Sequence, residues 1–135
     1  MAGRKLRALA MRLLSELPHY EWAGVYRLEG DTLILDEYVG APTEHKAIPV
    51  GRGVCGSAVA RNRNQVVQDV GELDNYLSCS LETKAEIVVL IRDMDGRILG
   101  QIDVDGHEVA CFDETDEEML EALARVLSER WEEGK

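Results

Sequence analysis

The stretch E-I-V-V-L-I-R-D-M-D-G-R-I-L-G-Q-I-D-V-D, Glu86 to Asp105, decides the fold. Two runs rich in Ile, Val and Leu, Glu86–Arg92 and Arg97–Asp105, flank Asp93-Met94-Asp95-Gly96, and Asp-Gly between apolar runs is a hairpin signal. The two runs are therefore expected to pair antiparallel. Upstream, Trp22–Leu28 and Thr32–Val39 repeat the pattern around Glu29-Gly30-Asp31, a polar connection with a permissive glycine.

Helices bracket these hairpins. Leu6, Leu9, Ala10, Leu13, Leu14 and Leu17 recur at helical spacing, which predicts an amphipathic helix over residues 4–17 stopped by Pro18. At the other end Asp113 offers an N-cap, Glu114, Asp116, Glu117 and Glu118 fill a first turn, and Leu120, Leu123, Ala124, Leu127 and Trp131 form an apolar stripe. Between the hairpins, Gly40-Ala41-Pro42 opens a loop expected to end near Val50. Val54–Arg61, with its small residues, predicts a short helix, and Gln65–Gln68 a strand. Gly71–Lys84 is turn-prone and reads as a long loop carrying Cys79. The order predicts an α+β domain: a central antiparallel sheet, N- and C-terminal helices on one face, and a ligand pocket on the other.

The 135 residues suit one domain, 1–135, with 45% hydrophobic and 30% charged residues and no repeat. A net charge of −11 opposes binding to phosphate backbones and acidic membrane surfaces, so neither nucleic acid nor membrane is an expected partner. Met1–Leu17 is basic and apolar, but Arg7 and Arg12 interrupt every run a signal peptide would need, and no stretch is long enough to span a bilayer. The expected location is the cytoplasm. There, a disulfide among Cys55, Cys79 and Cys111 would be transient and catalytic rather than structural. No C-x-x-C occurs, and His19, His45 and His107 lack ligand spacing. A zinc site assembled from the three cysteines and a histidine is the alternative, and no metal is expected.

Cys55 lies in Gly51-Arg52-Gly53-Val54-Cys55-Gly56, at the start of the short helix. The helix dipole, free N–H groups and Arg52 give it grounds for a lowered pKa; the alternative is a small core thiol. Cys79 has weaker local grounds for activation and better access to a pocket. Cys111, beside Phe112 and in no motif, reads as filler. Asp103 and Asp105 alternate with Ile102 and Val104, so they share a strand face with Gln101, and Glu86 opens the adjoining strand. Either this is a solvated sheet face, or it is a pocket in which like charge and burial turn one carboxyl into a proton donor while another grips an ammonium group. Trp22, Gly24 and Tyr26 also alternate, leaving an aromatic slot between two rings unless both are plain core. Slot and carboxylates together suit a ligand with an apolar or sulfur-bearing end and a cationic end, such as a free amino acid.

At these residues the chain resembles the free methionine-(R)-sulfoxide reductases, small enzymes built on a GAF domain. The resemblance runs from about Trp22 to the final helix and rests on W-A-G-V-Y at Trp22–Tyr26, G-R-G-V-C-G at Gly51–Gly56, Cys79, E-I-V-V at Glu86–Val89 and D-V-D at Asp103–Asp105. It implies a GAF-like fold and thiol-dependent reduction of free methionine sulfoxide. By this resemblance Cys79 attacks the sulfoxide sulfur and Cys55 resolves the resulting sulfenic acid as a disulfide, or the two thiols exchange roles; thioredoxin or a similar external thiol reductant reopens the disulfide, with no bound cofactor. Glu86, Asp103 and Asp105 would bind substrate and supply the acid, Trp22 and Tyr26 would line its methyl and sulfur end, and the chain would form a homodimer. Three positions depart from the pattern: His45 stands where many members carry a resolving cysteine, Ser80 replaces an aspartate, and Leu90 replaces a proline. Two readings compete with catalysis: a GAF module that binds a small ligand or senses redox state, and a dimerisation module joined through Leu120, Leu127 and Trp131.

Overall fold

A computed structural model describes residues 1–73 and 82–132. The elements are α1 (Gly3–Leu14), β1 (Trp22–Glu29), β2 (Thr32–Val39), β3 (Ala47–Pro49), α2 (Gly53–Arg61), β4 (Gln65–Val67), a 3-10 turn at Val70–Glu72, β5 (Ala85–Arg92), β6 (Ile98–Gly106) and α3 (Glu114–Glu129). Among the described residues, six strands form one sheet in the order β3-β2-β1-β6-β5-β4. Both expected hairpins are present and antiparallel, and β1 pairs with β6 to join them.

Several element ends shift by one residue, and two differences are larger. The first helix ends at Leu14, not Leu17: Glu16 N–H donates to Leu13 O at 3.2 Å and Leu17 N–H to Leu14 O at 3.0 Å, three-residue bonds in place of four. Pro18 disfavours helical geometry in the residue before it, so the chain tightens before it stops. The segment before Val50 is not all loop. Ala47, Ile48 and Pro49 pair with Ile34, Leu33 and Thr32 as an edge strand, too short to leave a periodic signal and able to hold a proline because it is an edge.

Strand alternation sends residues to two different cores. Val25, Ile87, Val89, Ile102 and Val104 point towards α1 and α3 and pack on Met11, Leu14, Leu120 and Leu127. Asp113 caps α3 as expected: its Oδ1 accepts from Thr115 and Asp116 N–H, while Asp116 Oδ2 accepts from Asp113 N–H. Leu120 and Leu127 are buried in this core, and Trp131 carries the Arg7 guanidinium 4.4 Å above its ring. The apolar stripe considered for a dimer contact is therefore occupied within the chain. Arg7, an interruption in the apolar run, is a buried tie: it donates to Asp36 Oδ2 on β2 and to Trp131 O.

The opposite face holds Trp22, Tyr26, Leu33, Ile48, Val54, Cys55, Ala58, Val88 and Leu90. It is covered by α2, which packs on β3, β5 and β6. Gly56 permits this closeness, since a Cβ there would lie 2.5 Å from Pro49 O. The face predicted to hold a pocket thus has a roof.

Candidate active site

Three strands place the polar residues under that roof. Asp103 on β6 sits between Gly24 of β1 and Val88 of β5, and Asp105 sits between Trp22 and Glu86. Because side chains alternate, Glu86, Gln101, Asp103 and Asp105 share the α2 face while Ile87, Ile102 and Val104 enter the other core. Glu86 is 3% exposed and Asp103 and Asp105 are each 1% exposed, so the solvated-face reading is excluded. Its failure traces to α2, whose small residues lie flat on the carboxylates. Gln101 anchors that helix, donating from Nε2 to Cys55 O at 3.0 Å. Cys55 Sγ then lies 3.8 Å from Glu86 Oε2, and a ligand atom from each of Cys55, Glu86 and Asp103 lies within 4.8 Å of the other two.

This burial sets the charges. It pushes the Glu86 carboxyl well above the ordinary carboxylic range, and the neighbouring Asp103 and Asp105 push it further. Asp103 is also raised, chiefly by burial, with hydrogen bonds to Glu86 and Cys55 working against the rise. The pair therefore gives up its first proton at higher pH than isolated carboxyls do. Cys55 is raised well above the ordinary thiol value by burial, then by Asp103, Glu86 and Asp105. The expected lowering by the helix N-terminus and Arg52 does not occur. Arg52 is solvent-exposed, and desolvation plus three carboxyls outweigh the dipole of a short helix.

The aromatic slot is filled by its own wall. The indole of Trp22 folds over Gly24, where a Cβ would come 2.6 Å from Trp22 Cζ3, and it stacks on Tyr38 with centroids 5.5 Å apart. Trp22 Nε1 donates to Ala41 O at 3.0 Å and Tyr26 Oη to His45 O at 2.8 Å, so both rings are tethered to the segment before β3. Among the described residues, Tyr26, His45, Ile48, Val54, Cys55 and Asp103 border a cavity of about 10 Å³. That is space for about one water and not for an amino acid. Tyr38 and the anchoring role of Gln101 were missed from sequence. A glycine paired with an aromatic, Gly24 with Tyr38, was the available signal for the first.

Similarity to known proteins fits this geometry. A family model described as GAF domain matches residues 5–131. A free methionine-R-sulfoxide reductase of Saccharomyces cerevisiae is 41% identical over 110 residues, covering 79% of this chain and 61% of that protein. The structure of a type II free methionine-R-sulfoxide reductase from Thermoplasma acidophilum superposes with a TM-score of 0.90 at 36% identity, covering 95% of this chain and 91% of that one. The chain belongs to the free methionine-R-sulfoxide reductase family of GAF domains. A Neisseria meningitidis family member, solved in complex with its substrate, superposes with a TM-score of 0.85 at 38% identity over 93% of this chain and 75% of that one. The chain spans about three fifths of the length of the yeast reductase.

Against the family pattern, two departures fall on described residues. Leu90 lies in the α2-side core, and its N–H, which a proline would lack, donates to Asn64 Oδ1 at 2.8 Å. His45 borders the cavity beside Cys55 and Asp103. Cys79 and Ser80 lie outside the described residues, so the Cys55–Cys79 pairing has no geometry to quote. Cys111 packs against the helix-side core, on the face of the sheet opposite Cys55. A zinc site uniting those two thiols is thereby excluded.

Proposed function

We propose that this chain reduces free methionine-(R)-sulfoxide to methionine, using Cys79 as nucleophile and Cys55 as resolving thiol. The observation that carries the reading is the buried Glu86–Asp103 pair beside the Cys55 thiol, whose burial raises both carboxyls and favours a proton on the pair. A sulfoxide oxygen becomes a leaving group only when protonated, and a sheltered carboxylic acid supplies that proton. The Cys79 thiolate attacks the sulfoxide sulfur as its oxygen takes the proton, forming an S–S bond; the hydroxyl then passes from that sulfur to Cys79 Sγ as the S–S bond breaks, so methionine departs and Cys79 is left as a sulfenic acid. Cys55 then attacks that sulfur, releasing water and forming a disulfide, which a thioredoxin-like dithiol reduces. The raised pKa of Cys55 counts against an opening attack by Cys55, and in resolving Cys79 its thiol must likewise give up its proton. Asp103 and Asp105 would hold the substrate ammonium, and Trp22 and Tyr26 its methyl and sulfur end.

The cavity of about 10 Å³ is smaller than free methionine sulfoxide, so binding needs a wider pocket than this conformation offers. The same reading has a single GAF-like domain over 1–135 acting as a homodimer in the cytoplasm, with no prosthetic group, no metal in the reaction and no nucleic-acid or membrane partner. The charge of −11 supports the last point, and no helix among the described residues is long and apolar enough to cross a membrane.

The test mixes purified protein with each epimer of free methionine sulfoxide, excess dithiothreitol and a methionine assay. Methionine should accumulate from the R epimer over many turnovers. No methionine above a protein-free control would favour a GAF module that only binds a ligand or senses redox state. Sedimentation at micromolar concentration should give the mass of a dimer.

A further inference from the structure

We propose that Cys55, Glu86 and Asp103 form a binding site for a thiophilic divalent cation of the zinc class, closed over by α2. Three donors of two kinds converge: one thiol sulfur and two carboxylates, on three different elements, with a ligand atom from each within 4.8 Å of the others. With zinc bond lengths and tetrahedral angles, a sulfur and an oxygen on one ion stand about 3.5 Å apart. Cys55 Sγ and Glu86 Oε2 are already 3.8 Å apart. The acceptor set is also incomplete without a guest: Glu86 Oε1 and Asp103 Oδ1 are buried and receive no hydrogen bond from any described residue. Buried acceptors lacking donors call for a cation or a proton.

Two of the three donors, Cys55 and Asp103, border a cavity of about 10 Å³, room for one water or one ion. Chemistry then selects among ions: a thiolate with two carboxylates suits zinc, cobalt or cadmium, whereas magnesium and calcium seek all-oxygen cages. His45 borders the same cavity but is not among the donors that lie within 4.8 Å of one another. On binding, the protons of Cys55 and the carboxyl pair pass to solvent and the dication offsets the repulsion between the carboxylates. Site formation needs neither Cys79 nor turnover. Its consequence, block of the pocket by zinc, does rest on the reductase reading.

The probe is cobalt(II), titrated into the full chain kept reduced by a phosphine. One equivalent should produce a near-ultraviolet thiolate-to-cobalt charge-transfer band, bleached by zinc and untouched by magnesium. The band should vanish in Cys55→Ser, require at least about tenfold more cobalt in Glu86→Gln, and persist in Cys111→Ser and Cys79→Ser. In the wild-type chain, zinc should also slow alkylation at Cys55 and leave Cys111 unaffected, a readout that no variant's folding can confuse. No band in the wild type, a band that survives Cys55→Ser, or equal alkylation of Cys55 with and without zinc overturns the site. A protein that makes methionine but gives no band loses the metal site and keeps the reductase reading.

Discussion

Glu86→Gln should make the substrate-free protein more stable at neutral pH while abolishing turnover. In the unfolded chain Glu86 titrates near its ordinary value of 4.5, whereas in the folded chain burial and two neighbouring aspartates hold the proton far longer. Above about pH 5 the unfolded state therefore binds one proton fewer than the folded state, and stability falls as pH rises. Each pH unit over which only the folded state keeps that proton costs about 1.4 kcal/mol. The carboxyl thus contributes fully below its unfolded value, and that contribution is lost as pH climbs towards the folded value. Glutamine has the same shape and no charge, so the variant should lack this slope. Urea unfolding of both proteins from pH 5 to pH 8 measures it: the variant minus wild-type difference should grow with pH, by up to about 1.4 kcal/mol per unit for as long as the folded state keeps the proton. Parallel stability curves would mean that Glu86 is ionised in the fold and cannot be the acid.

Three further outcomes follow from the packing. Gly24→Ala places a methyl where the Trp22 ring lies, so it should cost about 1–3 kcal/mol and shift tryptophan emission; emission and stability both unchanged would mean that the ring does not cover Gly24. Arg7→Met strands the Asp36 carboxylate, 4% exposed, and should cost about 3 kcal/mol; Arg4 and Arg27 also approach Asp36, and a loss below about 0.5 kcal/mol would show that they suffice. Alkylation of Cys55 should be much slower than that of the half-buried Cys111 at neutral pH, because burial and the carboxyls keep its thiol neutral; the reverse order would contradict that environment.

Both hairpins were legible because alternation and Asp-Gly turns are local signals, and the capping box of Asp113 and Asp116 is local too. The pairing of Glu86 with Asp105 across β5 and β6 followed from the hairpin, which is why the carboxyl cluster was readable. Strand β3 was not, since three residues carry no period and its partners, Thr32 to Ile34, lie far upstream. The environment of Cys55 was misread for a related reason. Helix dipoles are visible in sequence, whereas the desolvation that overrides the dipole comes from β5 and β6, at least thirty-one residues away at Glu86. The slot looked open because a glycine removes a side chain; the neighbouring indole turning back into the gap is a matter of rotamer and packing, which alternation does not encode.

The most direct test of the central claim is a single turnover without reductant. Fully reduced protein mixed with free methionine-(R)-sulfoxide should release one methionine per chain and acquire a disulfide between the peptides bearing Cys55 and Cys79. Cys55→Ser should still release one methionine, and Cys79→Ser none. Release of methionine by Cys79→Ser, or its loss in Cys55→Ser alone, would contradict the account and assign the attack to Cys55.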